Sequence, residues 1–546
     1  MPIQFTHDAD LLIVGAGTAG CVLARRLVEQ TTARVVLIEA GPSYPGWALS
    51  APLAGLRLRP RWSWGHTTLP QAELNHRTIS IPMGRVVGGT SSVNAMVAAP
   101  GPPSDFDDWS RLDCPGWSAA DIAACLKEAS HTTPQTGPVA TLPVSEPAFE
   151  SPFSTAFLEA CVQAGLQRQQ PFTGSHAQTC GMFPLFQHGG RRCSTAERLV
   201  GLEHHPHFRL LTGHTVRRVL LDRHQAIGVE LQTGSRVCTW RANAGVILAA
   251  GAIQTPTLLQ RSGVGPALLL RAAGLDVHLD QPGVGEGLQD HIGVPLLFRS
   301  AVPSPGRPSR WLSAAIRWLL CRSGVMTSNC CEAGCFLGPG EGPPEGEIFT
   351  HFQTRRAPQA VELMCTLLHP ASRGTVRIDP AQPDGPAFID PRYLTDPADR
   401  DALKELVAQA RHIAAQPALR KFGLQAELLP GNQPLDEFLR QYASTCHHPV
   451  GTCRMGTDPG AVVGPDLRVR GVSRLWIADN SIIPVIPRGH TASTALVIGL
   501  HGASIIARPS EGVAIGSPPQ HRESAHCPAP PDASQPSDAS ASGRNG

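Results

Sequence analysis

An α/β fold is what this sequence predicts, and three stretches near its start predict it. An apolar run, Leu11–Val14, reads as a buried strand, and Gly15, Gly17 and Gly20 follow at once. A helix then reads from about Ala19 to Glu29, with Val22, Leu23 and Leu27 on its apolar face. The stretch RVVLIEAG is a second strand, ending at Glu39. Together they make one βαβ unit of the Rossmann type.

Gly15-x-Gly17-x-x-Gly20 lies where a dinucleotide fingerprint must lie, between strand and helix. The first glycine makes the turn, the second lets backbone approach a pyrophosphate, and the third lets the helix close on the strand. The helix N-terminus then offers unpaired N–H groups to phosphate charge. Glu39 stands nineteen residues after Gly20. A carboxylate there accepts hydrogen bonds from a ribose hydroxyl and repels a 2′-phosphate. The cradle by itself leaves FAD and NAD both open.

Further along, a Gly/Pro-rich region runs to about Asp105, followed by mixed helix and loop to about Ser194. FRLLTGHTVRRVLLD and AIGVELQTGSRVCTWRA alternate as half-buried strands do. GVILAAG, from Gly245 to Gly251, is another buried strand. Residues 292–430 carry little periodicity except one strong helix, DPADRDALKELVAQARHIAAQ, with Asp396 as N-cap and Pro397 at its first position. RLWIADNS is a further strand and TALVIGLHGASIIA an apolar helix. From Pro509 the composition turns to Pro, Ser, Ala and Gly, which predicts a disordered tail holding an exposed Cys527.

The 546 residues exceed one ordinary core, and the 42% apolar content is that of a globular protein. A net charge of +2 gives no electrostatic argument for nucleic acid or a membrane surface. No secretory signal or membrane-spanning run is present, so a cytoplasmic protein is expected. The fifteen cysteines are irregularly spaced, which predicts free thiols and no disulfide framework. Cys330, Cys331 and Cys335 lack the second pair that zinc spacing needs, so no metal is expected.

Two stretches point to a family. GRVVGGTSSVNAMVAAPG (Gly84 to Gly101) and GAIQTPTLLQRSGVG (Gly251 to Gly265) resemble the two signatures of the glucose–methanol–choline (GMC) oxidoreductases. QPGVGEGLQDH, HPVGTCRMG and LRVRGVSRLWIADNSIIP resemble further blocks in the same order, so the resemblance runs from about residue 8 to 508. It implies a Rossmann-type FAD-binding domain, discontinuous in sequence, with a smaller antiparallel-sheet substrate domain. The boundaries expected are 1–150, 195–291 and 435–508 for the first, and 151–194 with 292–434 for the second. EAGCF and IDPRYLTDPAD resemble parts of the latter.

The resemblance also implies roles. With the cradle, the cofactor-binding set is Gly15, Gly17, Thr18, Ala19, Gly20, Glu39, Ala40, Val87, Gly88, Asn94, Ala95, Met96, Val97, Val216, Asp479 and Thr491. Asn94 is expected near the isoalloxazine, the Val216 backbone at the adenine and Asp479 near the ribityl chain; Asp479 also reads as a strand-end cap. Some relatives carry a covalently linked histidine where Val93 stands, so FAD is expected to be non-covalent. Gly287 and Pro100 depart from residues common in relatives, which leaves the substrate open. An aromatic content of 5% gives no clear cage for a quaternary ammonium.

Oxidising an alcohol removes a hydride and a proton. The cofactor takes the hydride, and a positioned base takes the proton. The family frame maps the base onto His448 and its partner onto His490, forty-two residues on. His447 is expected to face away, because neighbours on an extended segment point to opposite sides. The implied function is FAD-dependent oxidation of a small-molecule alcohol to an aldehyde or ketone, with O₂ or another acceptor. A non-redox hydroxynitrile lyase-like protein and a non-catalytic flavoprotein are the alternatives.

Overall fold

Residues 5–131, 142–302, 311–351 and 360–508 are described by the structure, a computed structural model. The tail expected from Pro509, with Cys527, lies outside them.

The glycine-bearing unit forms as read: strand His7–Val14, helix Thr18–Gln30 and strand Val35–Glu39. It sits inside a seven-stranded sheet. Phe208–Thr212, Val35–Glu39, His7–Val14 and Arg236–Leu248 run parallel in that order. Helices cover both faces of such a core, which is why Leu11, Leu12, Ile13, Val35, Leu37 and Ile38 are all buried. Arg236–Leu248 has two roles. Its first half closes a meander with Gln225–Thr233 and Thr215–Asp222, and its end pairs with Leu475–Ile477. The strand expected at Gly245–Gly251 is the end of this longer one and stops at Leu248, because the helix Gly251–Arg261 begins there.

The second sheet has eight strands and corrects the reading of residues 292–430 as poorly periodic. Ile292–Ser300, Ala360–Leu367, Gly346–His351, Ala333–Leu337 and Thr179–Met182 are antiparallel neighbours in it. Their burial is nearly continuous: every residue of Ala333–Leu337 is buried, and so are all but one of Ala360–Leu367. Helices Pro152–Gln163 and Pro397–Ala414 pack on one face, and the other face looks toward the first sheet. Alternation disappears when both faces are covered, so the period-2 signal was absent. The Asp396 cap is present, its side chain accepting from the Ala398 N–H at 2.9 Å. The mixed α/β class, with a Rossmann-type sheet and an antiparallel second sheet, is the one expected.

Every cysteine among the described residues is a free thiol, and no described helix is long and apolar enough to cross a membrane.

Candidate active site

A cavity of about 640 Å³ lies between the two sheets. Gly17, Thr18 and Ala19 open onto it from the start of the first helix. The loop that leads into this helix is built for close approach. Gly15 holds φ +105°, and a Cβ on Gly20 would sit 2.0 Å from the Gly15 carbonyl oxygen. Gly17 differs: a Cβ there would meet nothing nearer than 3.9 Å. Its helix has no side-chain cap and no acid in its first turn. The first-turn amides therefore remain available for an anion.

The segment Val87–Val97 closes over this loop. The Gly88 N–H donates to the Ala16 carbonyl at 2.7 Å, and a Cβ on Gly89 would fall 2.7 Å from Gly17 Cα. Buried Arg192 fastens it from behind, donating to Asn94 Oδ1 at 2.9 Å and to the Ser91 carbonyl at 3.2 Å. Asn94, Ala95, Met96 and Val97 line the cavity; Val93 is buried away from it, against Trp62 and Val86.

Asp479 lines the cavity and is also a cap. It accepts from the N–H groups of Ser481 and Gly251, both at 2.8 Å, and from the Thr255 hydroxyl at 2.6 Å. Glu39 accepts from the Ala16 and Gly41 N–H groups at 3.0 and 2.8 Å, and burial pushes its carboxyl up to about 7. Gly15, Gly20, Glu39, Ala40, Val87, Gly88 and Val216 do not border the cavity itself, whereas Thr491 does.

His448 and His490 converge on the cavity, ring centroids 5.2 Å apart and nearly perpendicular. His490 precedes the helix Thr491–Ile506, and its Nε2 faces Glu347 Oε1 at 3.2 Å. His448 is held twice. Its backbone N–H donates to Asp290 at 2.7 Å, and its Nδ1 lies 2.8 Å from Nδ1 of His291. Asp290 also accepts from the hydroxyls of Thr445 (2.5 Å) and Tyr393 (2.6 Å); burial raises its carboxyl to about 6. His291 is fully buried, and that burial lowers its pKa to about 3 despite the carbonyls of Pro487 and Leu368.

The expectation for His447 fails. It lines the same cavity as His448. Alternation requires extended backbone, and His447 sits at φ +69°, a left-handed turn that swings its side chain to the same side. Cys446 borders the cavity as well, with its thiol 3.5 Å from the Thr366 hydroxyl, while Cys453 is buried. Among the described residues no group of three His, Cys, Asp or Glu could hold a metal.

Sequence reasoning left Asp290, His291, Arg192 and Glu347 without roles. The first two lie in the quoted GLQDH stretch, which marked them as part of a block without saying what they touch. Glu347 and Arg192 carried no signal. Glu347, Phe349, Glu362, Met364 and Thr366 reach the cavity from strands of the second sheet.

Fold and site together define an α/β protein with a glycine cradle and a paired-histidine cavity, and comparison with known proteins says of which kind. Models of the GMC oxidoreductase family match residues 9–293 and 370–499, so the chain belongs to that family. It is 32% identical to an oxygen-dependent choline dehydrogenase of Sinorhizobium fredii, over 91% of this chain and 95% of that protein. An alcohol dehydrogenase [acceptor] of Pseudomonas putida is 33% identical over 91% and 96%. Among solved structures, pyridoxine 4-oxidase from Mesorbium loti superposes with a TM-score of 0.80 at 30% identity, covering 91% of this chain and 98% of that one. The protein is an oxidoreductase of this class.

Proposed function

We propose that the protein oxidises an alcohol to an aldehyde or ketone, using FAD bound non-covalently in the cavity between the sheets. One observation carries the reading: His448 and His490 meet on the cavity into which the glycine cradle opens. The relatives named as choline and alcohol dehydrogenases support an alcohol substrate, and the oxygen-dependent ones support O₂ as an acceptor. The division into a cofactor-binding part (1–150, 195–291, 435–508) and a substrate part (151–194, 292–434) belongs to the same reading, as does a cytoplasmic location.

The residues present fit FAD. Gly17, Thr18 and Ala19 would take the pyrophosphate at the helix N-terminus, with Gly15, Gly20, Val87 and Gly88 shaping the loop around it. Glu39 and Ala40 would meet the adenosine ribose, Val216 the adenine, and Asp479 the ribityl side. Asn94, Ala95, Met96, Val97 and Thr491 would border the ring. Val93 is an apolar buried residue and offers no atom for a covalent bond. FAD bound there supplies the hydride acceptor.

His448 is the base, and its tautomer follows from its neighbours. A carbonyl only accepts, so Nε2 of His291, 3.1 Å from the Pro487 oxygen, carries a proton. His291 is neutral, because burial holds its pKa near 3. Its Nδ1 is therefore an acceptor, and His448 donates to it through Nδ1–H. The lone pair of His448 is then on Nε2, the nitrogen that takes the substrate hydroxyl proton. His490, oriented by Glu347, hydrogen-bonds the substrate oxygen and shares that proton.

Anaerobic mixing of the purified holoenzyme with a panel of alcohols tests this. Bleaching of the flavin spectrum is expected with the true substrate class, and admission of air then reports oxygen use. Turnover with the flavin left oxidised would instead indicate non-redox chemistry.

A further inference from the structure

The helix Trp311–Cys321, sequence WLSAAIRWLLC, is turned inside out. Leu312, Ile316, Leu319 and Leu320 recur at the spacing of one helical stripe, which in a globular protein normally faces the core. Here they are 77%, 49%, 62% and 79% exposed. The opposite side is the anchored one. Trp318 is buried with Leu53, Met326 and Cys330, and its indole N–H donates to the Gly190 carbonyl at 2.8 Å. A contiguous exposed apolar stripe on a firmly seated helix marks a contact surface.

Charge around it is one-sided. Between residues 291 and 331 the sequence has no acid, and Arg299, Arg317 and Arg322 there are exposed; between 40 and 72 it has no acid, and Arg61 is exposed. The two stretches meet in the cluster that joins Leu53 to Trp318. Arg317 and Arg322 are exposed on or beside the helix, the latter with its guanidinium 4.1 Å from the Trp318 ring. Exposed Glu146 and Glu150 flank Phe149 of the same cluster, and buried Glu332 follows Cys331. The overall charge of +2 hides this asymmetry. The patch also adjoins the active site, since Leu53, Leu56, Cys330 and Cys331 line the cavity.

We propose that the helix Trp311–Cys321 and the arginines around it form an in-plane docking surface for a bilayer containing anionic lipid, beside the wall of the catalytic cavity. An apolar stripe fits the acyl boundary while arginines at its edges reach headgroup phosphates. Two other occupants fit less well. A second copy of the chain would set the same arginines against one another. The segment 509–546 has only Val513 and Ile515 as large aliphatic residues, too few to fill the stripe.

Co-sedimentation of the full-length holoenzyme with vesicles tests the proposal. Phosphatidylcholine vesicles are compared with vesicles of phosphatidylcholine mixed with phosphatidylglycerol, at low and high salt. Binding to the mixed vesicles at low salt is expected, weakened about tenfold or more on phosphatidylcholine alone or in high salt. The double variants Leu319→Ser with Leu320→Ser, and Arg317→Glu with Arg322→Glu, should each lose about tenfold in binding. Both should keep their flavin, melting temperature and turnover of a soluble alcohol. Failure to bind either vesicle overturns the proposal, as does binding that neither double variant diminishes. Conversion of a dimer to a monomer by the leucine variant, without vesicle binding, would overturn it in favour of a chain–chain interface.

Discussion

In the proposed reaction the chemistry turns on His448, and its neighbours decide what its ring can do. Replacing it by alanine should slow flavin reduction by roughly 10²–10⁴-fold while FAD stays bound, read by stopped flow. His291→Asn tests the tautomer. It should lower kcat roughly 10- to 100-fold with FAD content unchanged, and shift the pH profile of reduction, which a purely structural role would not move. The titratable groups around the His291 ring are His448, which bonds to it, and His490 and His369, whose charge also acts on it. Asp290 stands beside them, holding the His448 backbone. Stability gives a second readout. The folded His291 ring stays neutral down to about pH 3, whereas an unfolded histidine protonates near 6.5. Between those values the unfolded chain binds the extra proton. The stabilisation from the neutral ring is therefore complete above about 6.5 and is lost as pH falls toward 3. The urea midpoint of the wild type, compared with His291→Asn, should lose ground at pH 5 relative to pH 7.5; a difference independent of pH would count against it.

The strand–glycine–helix unit was legible because each of its glycines answers a backbone demand that the motif spacing encodes. The structure separates those demands. A Cβ on Gly20 collides with the Gly15 carbonyl, while one on Gly17 meets only the Ala249 carbonyl oxygen, at an ordinary contact distance of 3.9 Å. Gly20→Ala should therefore destabilise the fold on the order of 1–3 kcal/mol or more, seen in chemical denaturation. Gly17→Ala should leave the apoprotein's melting temperature nearly unchanged yet weaken FAD binding, seen as colourless purified protein. Equal loss of stability in both variants would contradict that distinction. The strands of the second sheet were not legible by period, since continuous burial erases alternation. His447 shows the converse error: alternation was assumed where a single left-handed residue, φ +69°, breaks it.

At the scale of the whole molecule, the cavity is a joint product of both sheets. Gly17 to Ala19 and residues 249–254, at the start of the helix Gly251–Arg261, supply one wall; Glu347, Phe349, Glu362, Met364 and Thr366 supply the other. A ligand in it ties the two together, so FAD should raise the unfolding free energy of the entire chain by mass action. At a hundredfold excess over Kd the gain is about 2.7 kcal/mol, which scanning calorimetry of apo and reconstituted protein would show. A melting temperature indifferent to FAD would mean that the cavity does not bind it. The sequence by itself determined the βαβ unit with its three glycines, the family and the pairing of His448 with His490 on one site, because these rest on local backbone geometry and short ordered blocks. Only the tertiary structure decided that His291 and Asp290 hold His448, that Glu347 faces His490, and that an apolar helix stripe points outward. Those are contacts between residues more than a hundred positions apart, or a choice of which helix face is buried, and no local pattern contains either.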